Sequence, residues 1–344
     1  MQYRQLGKSG LLVSELCFGA MTFGGQGFWK VIGELEYQSA KRLIDISLEG
    51  GINFFDTADV YSYGMAEDML GRALGEKRKD VILATKVRGR MSAEINDVGL
   101  SRHHILNSCN NSLRRLGTDW IDLYIVHSFD FITPLEETLR ALDDLVRVGK
   151  VRYLGVSNFA AWQLMKALAI SEQHNLEKFV SLQAYYSLVS RDVETELVPL
   201  CMDQGLGITP WSPLAGGFLT GKYQRGERGP QGARRAKEEQ NFIPIDYDKG
   251  FPIVDELRRI AESHKATPAQ AALNYLLRKP GVSSVIIGAN KTEQLEDNLK
   301  AVEWTMTDEE VARLDDLSKP YRPYPHWMHD IVRHDRTVPR MRGE

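Results

Sequence analysis

The chain is poor in the features that mark most specialised protein classes. Its three cysteines, Cys17, Cys109 and Cys201, are an odd number at wide spacing. That pattern suits reduced thiols in a cytoplasmic protein better than a disulfide framework, with Cys17 and Cys109 read as buried small hydrophobes. No window approaches the roughly 18 uninterrupted apolar residues of a membrane-spanning helix, and no charged stretch at the N-terminus leads into an apolar core. A soluble protein with no membrane partner is expected. A formal net charge of -3 leaves no electrostatic footprint for nucleic acid. The eight histidines show no useful ligand spacing: His103 and His104 are adjacent and diverge on a helix, while His326 and His329 sit in a Pro-rich tail. No metal site is expected. Gly7-Lys8-Ser9 lacks the upstream half of a Walker pattern, and no G-x-G-x-x-G follows an apolar run, which removes motif support for a Rossmann site.

What is present is an alternation of short apolar runs with amphipathic stretches. At 43% hydrophobic and 26% charged, the composition is that of an ordinary globular protein with a large core. Residues 1–14 read as a hairpin, two short strands around Gly7-Lys8-Ser9-Gly10. Strands follow at Leu16–Gly19, around Phe54–Asp56, and in runs ending at Lys86 and His127, then at Val151–Gly155, Val180–Ala184, Ile208–Trp211 and Ser284–Ile287. Helices are expected between them. Ser101 caps Arg102–Leu116, Thr133 caps a helix with Pro134 in its first turn that runs to Val148, Ala161–His174 and Glu194–Asp203 follow, and Thr267-Pro268 opens one to Lys279. A final helix starts at Thr292. Eight strand and helix units in one run predict an α/β fold, a (β/α)8 TIM barrel, as a single domain over 1–344. Gln224–Asp248 is expected as a polar excursion at the rim, and 319–344 as a Pro- and aromatic-rich tail that covers the rim or meets a partner.

Chemistry-bearing residues close three of the strands. Asp56 ends an apolar run with Tyr61 just beyond it, Lys86 ends the next, and His127 the one after. In an α/β sheet such ends share one rim, so residues distant in sequence meet there. Singly each has an ordinary reading, as a loop acid, surface phenol, solvated cation or half-buried imidazole. Together they make a proton-transfer set. A phenol titrates near ~10, and a neighbouring ammonium is expected to lower Tyr61 towards neutrality by stabilising its phenolate. Asp56 would orient Lys86, and neutral His127 would donate to a carbonyl oxygen.

The motifs GINFFDTADVY (51–61), ATK (84–86), DLYIVH (122–127), GKVRYLGVSNF (149–159), WSPLAGGFLTGKY (211–223) and IIGANKTEQLEDNL (286–299) occur in this order. By them the chain resembles the aldo-keto reductase superfamily. The resemblance implies a barrel that binds NADPH without a Rossmann fold, a catalytic tetrad of Asp56, Tyr61, Lys86 and His127, and a small-molecule aldehyde or ketone as substrate. It further implies that Ser157, Asn158 and Gln183 hold the nicotinamide amide and that Trp211, where many relatives have tyrosine, lies beneath the ring. Ser212, Leu214, Gly216, Leu219 and Lys222 match the pyrophosphate loop, and Gly288, Ala289, Lys291, Gln294 and Asn298 match the adenosine end, with Glu293 capping a helix. Asn290 stands where relatives place an arginine for the 2′-phosphate. Lys291 offers a point charge without the fork, so NADH or dual use stays open. Trp29, Phe129 and the Gly24-Gly25 loop are expected around the substrate. Sugar or polyol oxidation by the same residues, or service as a partner subunit of the kind known for potassium channels, are the competing readings. A monomer and a homo-oligomer fit the sequence equally.

Overall fold

Each apolar run that ends on a polar residue folds as a strand with that residue at its C-terminal end. A computed structural model describes residues 1–226 and 243–333. It begins with an antiparallel hairpin of β1 (Tyr3–Gln5) and β2 (Leu12–Ser14), with Tyr3 opposite Ser14 and Gln5 opposite Leu12. Eight parallel strands follow: β3 (Leu16–Gly19), β4 (Phe54–Asp56), β5 (Ile82–Val87), β6 (Ile121–Val126), β7 (Val151–Ser157), β8 (Phe179–Tyr185), β9 (Gly207–Trp211) and β10 (Val285–Ile287). They pair in chain order, with β10 returning to β3. Between β9 and β10 the ring closes through a single parallel bridge of Ile208 with Val282, flanked by Ile208 N–H to the Gly281 carbonyl at 2.8 Å and Ser283 N–H to the Ile208 carbonyl at 2.9 Å. The architecture is the (β/α)8 barrel.

Side chains alternate along the strands with period two. Cys17, Phe54, Ala84, Leu123, Ile125 and Ile286 point inward and pack with Leu6 and Val13 of the hairpin. Phe18, Phe55, Leu83, Tyr124, Val126, Leu182 and Ile208 point outward into the layer beneath the helices. The hairpin seals the N-terminal end of the barrel. Lys8 N–H donates to the Gly205 carbonyl at 2.8 Å. Gly7, at φ +60°, lies so close that a Cβ there would sit 2.5 Å from the Gly205 carbonyl oxygen and 2.6 Å from Gly207 N. With one end plugged, inward-facing chemistry has only the C-terminal mouth.

The helices α1 (Tyr37–Glu49), α2 (Met65–Leu74), α3 (Arg102–Leu116), α4 (Leu135–Arg147), α5 (Ala161–His174), α6 (Leu197–Gln204), α7 (Tyr247–Ser263), α8 (Pro268–Leu277) and α9 (Thr292–Leu299) surround the strands. Ser101 Oγ accepts from His104 N–H and Thr267 Oγ1 from Gln270 N–H, as their positions predict. Other expectations need correction. Thr133 does not cap α4: Pro134 is the N-cap, and Thr133 Oγ1 donates to Asp130 Oδ2 at 2.7 Å. The expected helix 194–203 is split, because Arg191 clamps Glu194 into a short turn and Pro199, which lacks an N–H, fits only the first turn of a helix starting at Leu197.

The helix at Thr292 is not the last, since α10 (Asp308–Leu317) and α11 (His326–Val332) follow. Nor is the segment before Asp248 all polar surface: Ile243 is buried, and Tyr247 and Asp248 already belong to α7. The rest of that excursion, 227–242, lies outside the described residues, as does 334–344 of the tail. The tail from Lys319 to Arg333 runs along the barrel flank, where α11 faces Ala161, Trp162 and Met165 of α5 across a crevice of about 600 Å³. No helix among the described residues is long and apolar enough to cross a membrane.

Candidate active site

Period-two alternation places the predicted residues one layer above the barrel core. Asp56 stands two residues beyond inward-facing Phe54, Lys86 two beyond Ala84, and His127 two beyond Ile125, so all three project into the mouth. There Lys86 Nζ lies 2.6 Å from Asp56 Oδ1, 2.7 Å from the Thr57 carbonyl oxygen and 3.3 Å from Tyr61 Oη. An ammonium has three protons, and these partners take all of them. Because Tyr61 Oη accepts from Lys86, its own proton is left to point away from the cation. Asp56 is held in turn: Gln183 Nε2, from β8, donates to Asp56 Oδ2 at 2.8 Å.

Tyr61 is carried on a tight turn, Tyr61–Gly64, in which Ser62, Tyr63 and Gly64 all have positive φ. Holding two non-glycine residues there costs on the order of 1–3 kcal/mol each, so the surroundings must fix the turn. Ser62 does much of this, donating to the Phe23 carbonyl and accepting from Gly25 N–H, both at 2.9 Å. The Gly24-Gly25 loop packs on this turn, where a Cβ on Gly24 would meet Ser62 at 2.9 Å and Met65 at 2.8 Å. Trp29 lies edge-on over the Tyr61 ring at 5.0 Å, and the His127 ring flanks it at 5.8 Å. Tyr61 is 7% exposed.

The electrostatics depart from the expectation in one respect. Burial raises the Tyr61 phenol above its ordinary value, and the pull of the Lys86 ammonium in the other direction does not reverse it. Tyr61 is therefore a phenol, not an incipient phenolate, at neutral pH. Burial depresses Lys86, but the Asp56 carboxylate and Tyr61 outweigh it and hold the ammonium above its usual range. His127 is pushed down to about 3 by burial and by the charges of Lys86 and Arg88, which keeps the imidazole neutral.

Two further residues here escaped sequence reading. Asp59 is fully buried with neither carboxylate oxygen hydrogen-bonded, and burial together with the Glu67 charge raises it well above the carboxylate range. Arg88, two residues beyond Lys86, has φ +135° and a buried, unbonded Nε. Only backbone strain could have marked Arg88, and a sequence does not display it.

The residues matched to a nicotinamide dinucleotide form an arc on the same mouth. Ser157 ends β7 opposite Gln183 in register, buried, with an Oγ that has no hydrogen-bond partner. An enclosed hydroxyl of this kind can pair with a polar guest, and a carboxamide such as that of a nicotinamide has the donor and acceptor for it. Asn158 adopts φ +54° and spends Nδ2 on the His127 carbonyl at 2.9 Å. Trp211, paired with Tyr185 across β8 and β9, lies 5.0 Å from the Tyr185 ring at 33°. After β9, Ser212, Ala215, Gly216 and Gly217 all take positive φ in a tight turn, within which Ala215 N–H donates to the Ser212 carbonyl and Gly217 N–H to the Leu214 carbonyl, both at 2.9 Å. Lys222 Nζ lies over it, 2.9 Å from where a Gly217 Cβ would stand.

Not every matched residue can serve. Leu219 is wholly buried and its N–H donates to the Leu214 carbonyl at 3.2 Å, so neither its side chain nor its amide is left for phosphate. Asn298 is buried on the inner side of α9, while Gly288 and Lys291 are exposed and Ala289 is buried beside Thr22, whose Oγ1 donates to its carbonyl at 3.3 Å. Gln294, not Glu293, makes the cap-like bond at the start of α9, its Oε1 accepting from Asn290 N–H at 3.0 Å. Phe129 packs with Phe131, Phe159 and Trp162 at 5.1–6.2 Å rather than on Tyr61. Among the described residues no cluster of three or more His, Cys, Asp or Glu is placed to hold a metal.

Comparison with known proteins accords with this geometry. A model described as the aldo/keto reductase family matches residues 15–319. A probable voltage-gated potassium channel subunit beta of Arabidopsis thaliana is 38% identical, over 94% of this chain and 99% of that one. An uncharacterized oxidoreductase of Bacillus subtilis is also 38% identical, over 92% and 96%. A versiconal hemiacetal acetate reductase of Aspergillus parasiticus is 33% identical, over 94% and 98%.

Proposed function

Since the chain belongs to the aldo/keto reductase family, we propose that it reduces an aldehyde or ketone to an alcohol with NADPH, Tyr61 supplying the proton. The observation that carries this reading is the exhaustion of Lys86: with its three protons on Asp56, Thr57 and Tyr61, the phenol proton is the one directed at a guest. When bound, the cofactor supplies hydride. The protein orients and protonates, which is what such sites contribute. Neutral His127 and Tyr61 hold the carbonyl oxygen, and as negative charge grows there Tyr61 releases its proton. The Lys86 ammonium stabilises the phenolate that remains, and Asp56 with Gln183 keeps Lys86 in place. Trp29 covers the phenol and limits water.

Ser157 and Gln183 favour a nicotinamide amide, and the position of Lys222 against the turn at Gly217 favours a pyrophosphate. Exposed Lys291 supports NADPH over NADH as a point charge. Relatives named as channel subunits raise a partner role, yet a complete tetrad, with Lys86 bonded to Asp56 and Tyr61 and the His127 ring against Tyr61, favours catalysis. Nicotinamide oxidation followed with both cofactors against aldehydes, diketones, steroids and sugars tests the reading. Tyr61→Phe should lower turnover by about 10²–10⁴-fold with cofactor affinity kept. Unchanged turnover would remove Tyr61 as donor.

A further inference from the structure

Beyond the tetrad, one cation at the mouth has no assigned task. Arg88 sits at φ +135°, where non-glycine residues are rarely found. The chain around it is pinned on both sides. His127 N–H donates to the Val87 carbonyl at 2.9 Å, and Gly99 N–H to the Arg88 carbonyl at 3.0 Å. On the other side Gly89 lies against Val60, the residue before Tyr61, so closely that a Cβ there would come within 2.6 Å of it. Arg88 is thus wedged between the Tyr61 turn and His127, at the open end of the barrel.

Its side chain is half-buried, its Nε is closed to solvent without a hydrogen bond, and among the described residues no carboxylate pairs with it. The other buried or half-buried arginines among the described residues all meet a carboxylate: Arg4 meets Glu15, Arg78 Asp122, Arg115 Glu67, Arg191 Glu194 and Arg322 Asp330. Removing a cation from water without an anion is unfavourable, and strain at a functional rim points towards use. It leaves the same strand end as Lys86, next to Val87 whose carbonyl accepts from His127 N–H, which puts it on the rim a guest must pass.

Resting on the reductase reading above, we propose that Arg88 receives a carboxylate of the substrate, so that the site prefers aldehydes or ketones that also carry a carboxylic acid. A planar guanidinium matches a two-oxygen planar anion through paired hydrogen bonds, a geometry lysine cannot copy.

The test compares 4-carboxybenzaldehyde with 4-nitrobenzaldehyde, equal in outline but differing in charge, on wild type, Arg88→Gln and Arg88→Lys. In wild type the carboxylated compound should have the higher kcat/KM. In Arg88→Gln the ratio should fall about ten- to a hundredfold, mainly through KM, and Arg88→Lys should recover part of it. If wild type reduces the nitro compound and the ratio in Arg88→Gln stays within about threefold, the inference falls while the reductase reading stands. If neither aldehyde is reduced, the reductase reading is decided by the wider substrate panel, and calorimetric titration of 4-carboxybenzyl and 4-nitrobenzyl alcohol decides Arg88 alone. Equal binding of the two alcohols by wild type would overturn the proposal. Tighter carboxylate binding that disappears in Arg88→Gln would uphold it.

Discussion

Removing the Lys86 ammonium separates what the buried pair does for stability from what it does for chemistry. At 2.6 Å the Lys86–Asp56 attraction is about 6 kcal/mol for an effective dielectric of 20. Burying the two ions costs several kcal/mol each, so the pair is roughly neutral for folding. Lys86→Met leaves Asp56 buried with one donor, Gln183. The mutant can relieve this by protonating the carboxyl, which at pH 7 costs about 4 kcal/mol for a carboxyl of ordinary acidity, and that caps the damage. The sign follows: the folded mutant favours the protonated acid, so its penalty should shrink by about 1.4 kcal/mol per pH unit as pH falls from 7 towards 5. Lys86→Met combined with Asp56→Leu should return to within about 2 kcal/mol of wild type, since apolar replacement of a buried pair is neutral or stabilising. Both proteins should be catalytically dead. Urea denaturation at pH 5, 6 and 7 with turnover measured alongside checks this. A double mutant as unstable as the single one, or a penalty that ignores pH, would refute the reasoning.

Other expectations follow from the same geometry. Lys291→Ala should weaken NADPH about five- to tenfold in fluorescence titration while NADH changes less than about twofold; equal losses would mean that the 2′-phosphate is met elsewhere. His127, held at about 3 in the fold, is neutral where an unfolded histidine near ~6.5 is charged, so the unfolded state binds the extra proton. Its contribution is therefore lost as pH falls from about 6.5 towards 3, and His127→Asn should flatten the acid arm of the stability profile. Because His127 stays neutral and Tyr61 stays protonated, kcat/KM should show no limb between about pH 5 and 9; a limb near 6.5 would contradict the buried, uncharged imidazole. Gly7→Ala, pressed at φ +60° against the backbone of Gly205 and Gly207, should cost about 2–4 kcal/mol and lower the melting temperature with activity retained at 20 °C. No loss in a thermal melt would mean that the hairpin does not seal the barrel.

The barrel was legible because each β/α unit carries its own signal. Phe54-Phe55-Asp56 and Ile125-Val126-His127 announce an apolar strand and its functional end within a few residues, and parity with the inward positions then fixes which side chains share the mouth. What could not be read depends on partners far away or on backbone strain. Gln183 reaches Asp56 across 127 positions. The helix Tyr247–Ser263 was hidden by Gly250 and Pro252 near its start, although Phe251, Val254, Leu257 and Ala261 keep helical spacing and are buried. Leu219 has the position of a phosphate contact and the environment of a core leucine.

The sign of the Tyr61 perturbation shows the same limit in its chemistry. A lysine nearby predicts a more acidic phenol, and the contact is real at 3.3 Å. Burial is set by Trp29, His127 and the walls of the barrel together, a sum no short motif contains, and it outweighs the cation. Donation does not require a low value, however. An alkoxide is a far stronger base than a phenolate, so proton transfer from even a raised phenol to a developing alkoxide is downhill, and in the proposed reaction the Lys86 ammonium would be most useful after the proton had gone. A phenol that keeps its proton until charge appears also cannot quench the site by ionising early. In the proposed reduction, burial and the ammonium would thus act at different stages of one event: the first would hold the proton while the substrate is neutral, and the second would steady the phenolate once the carbonyl oxygen had taken it.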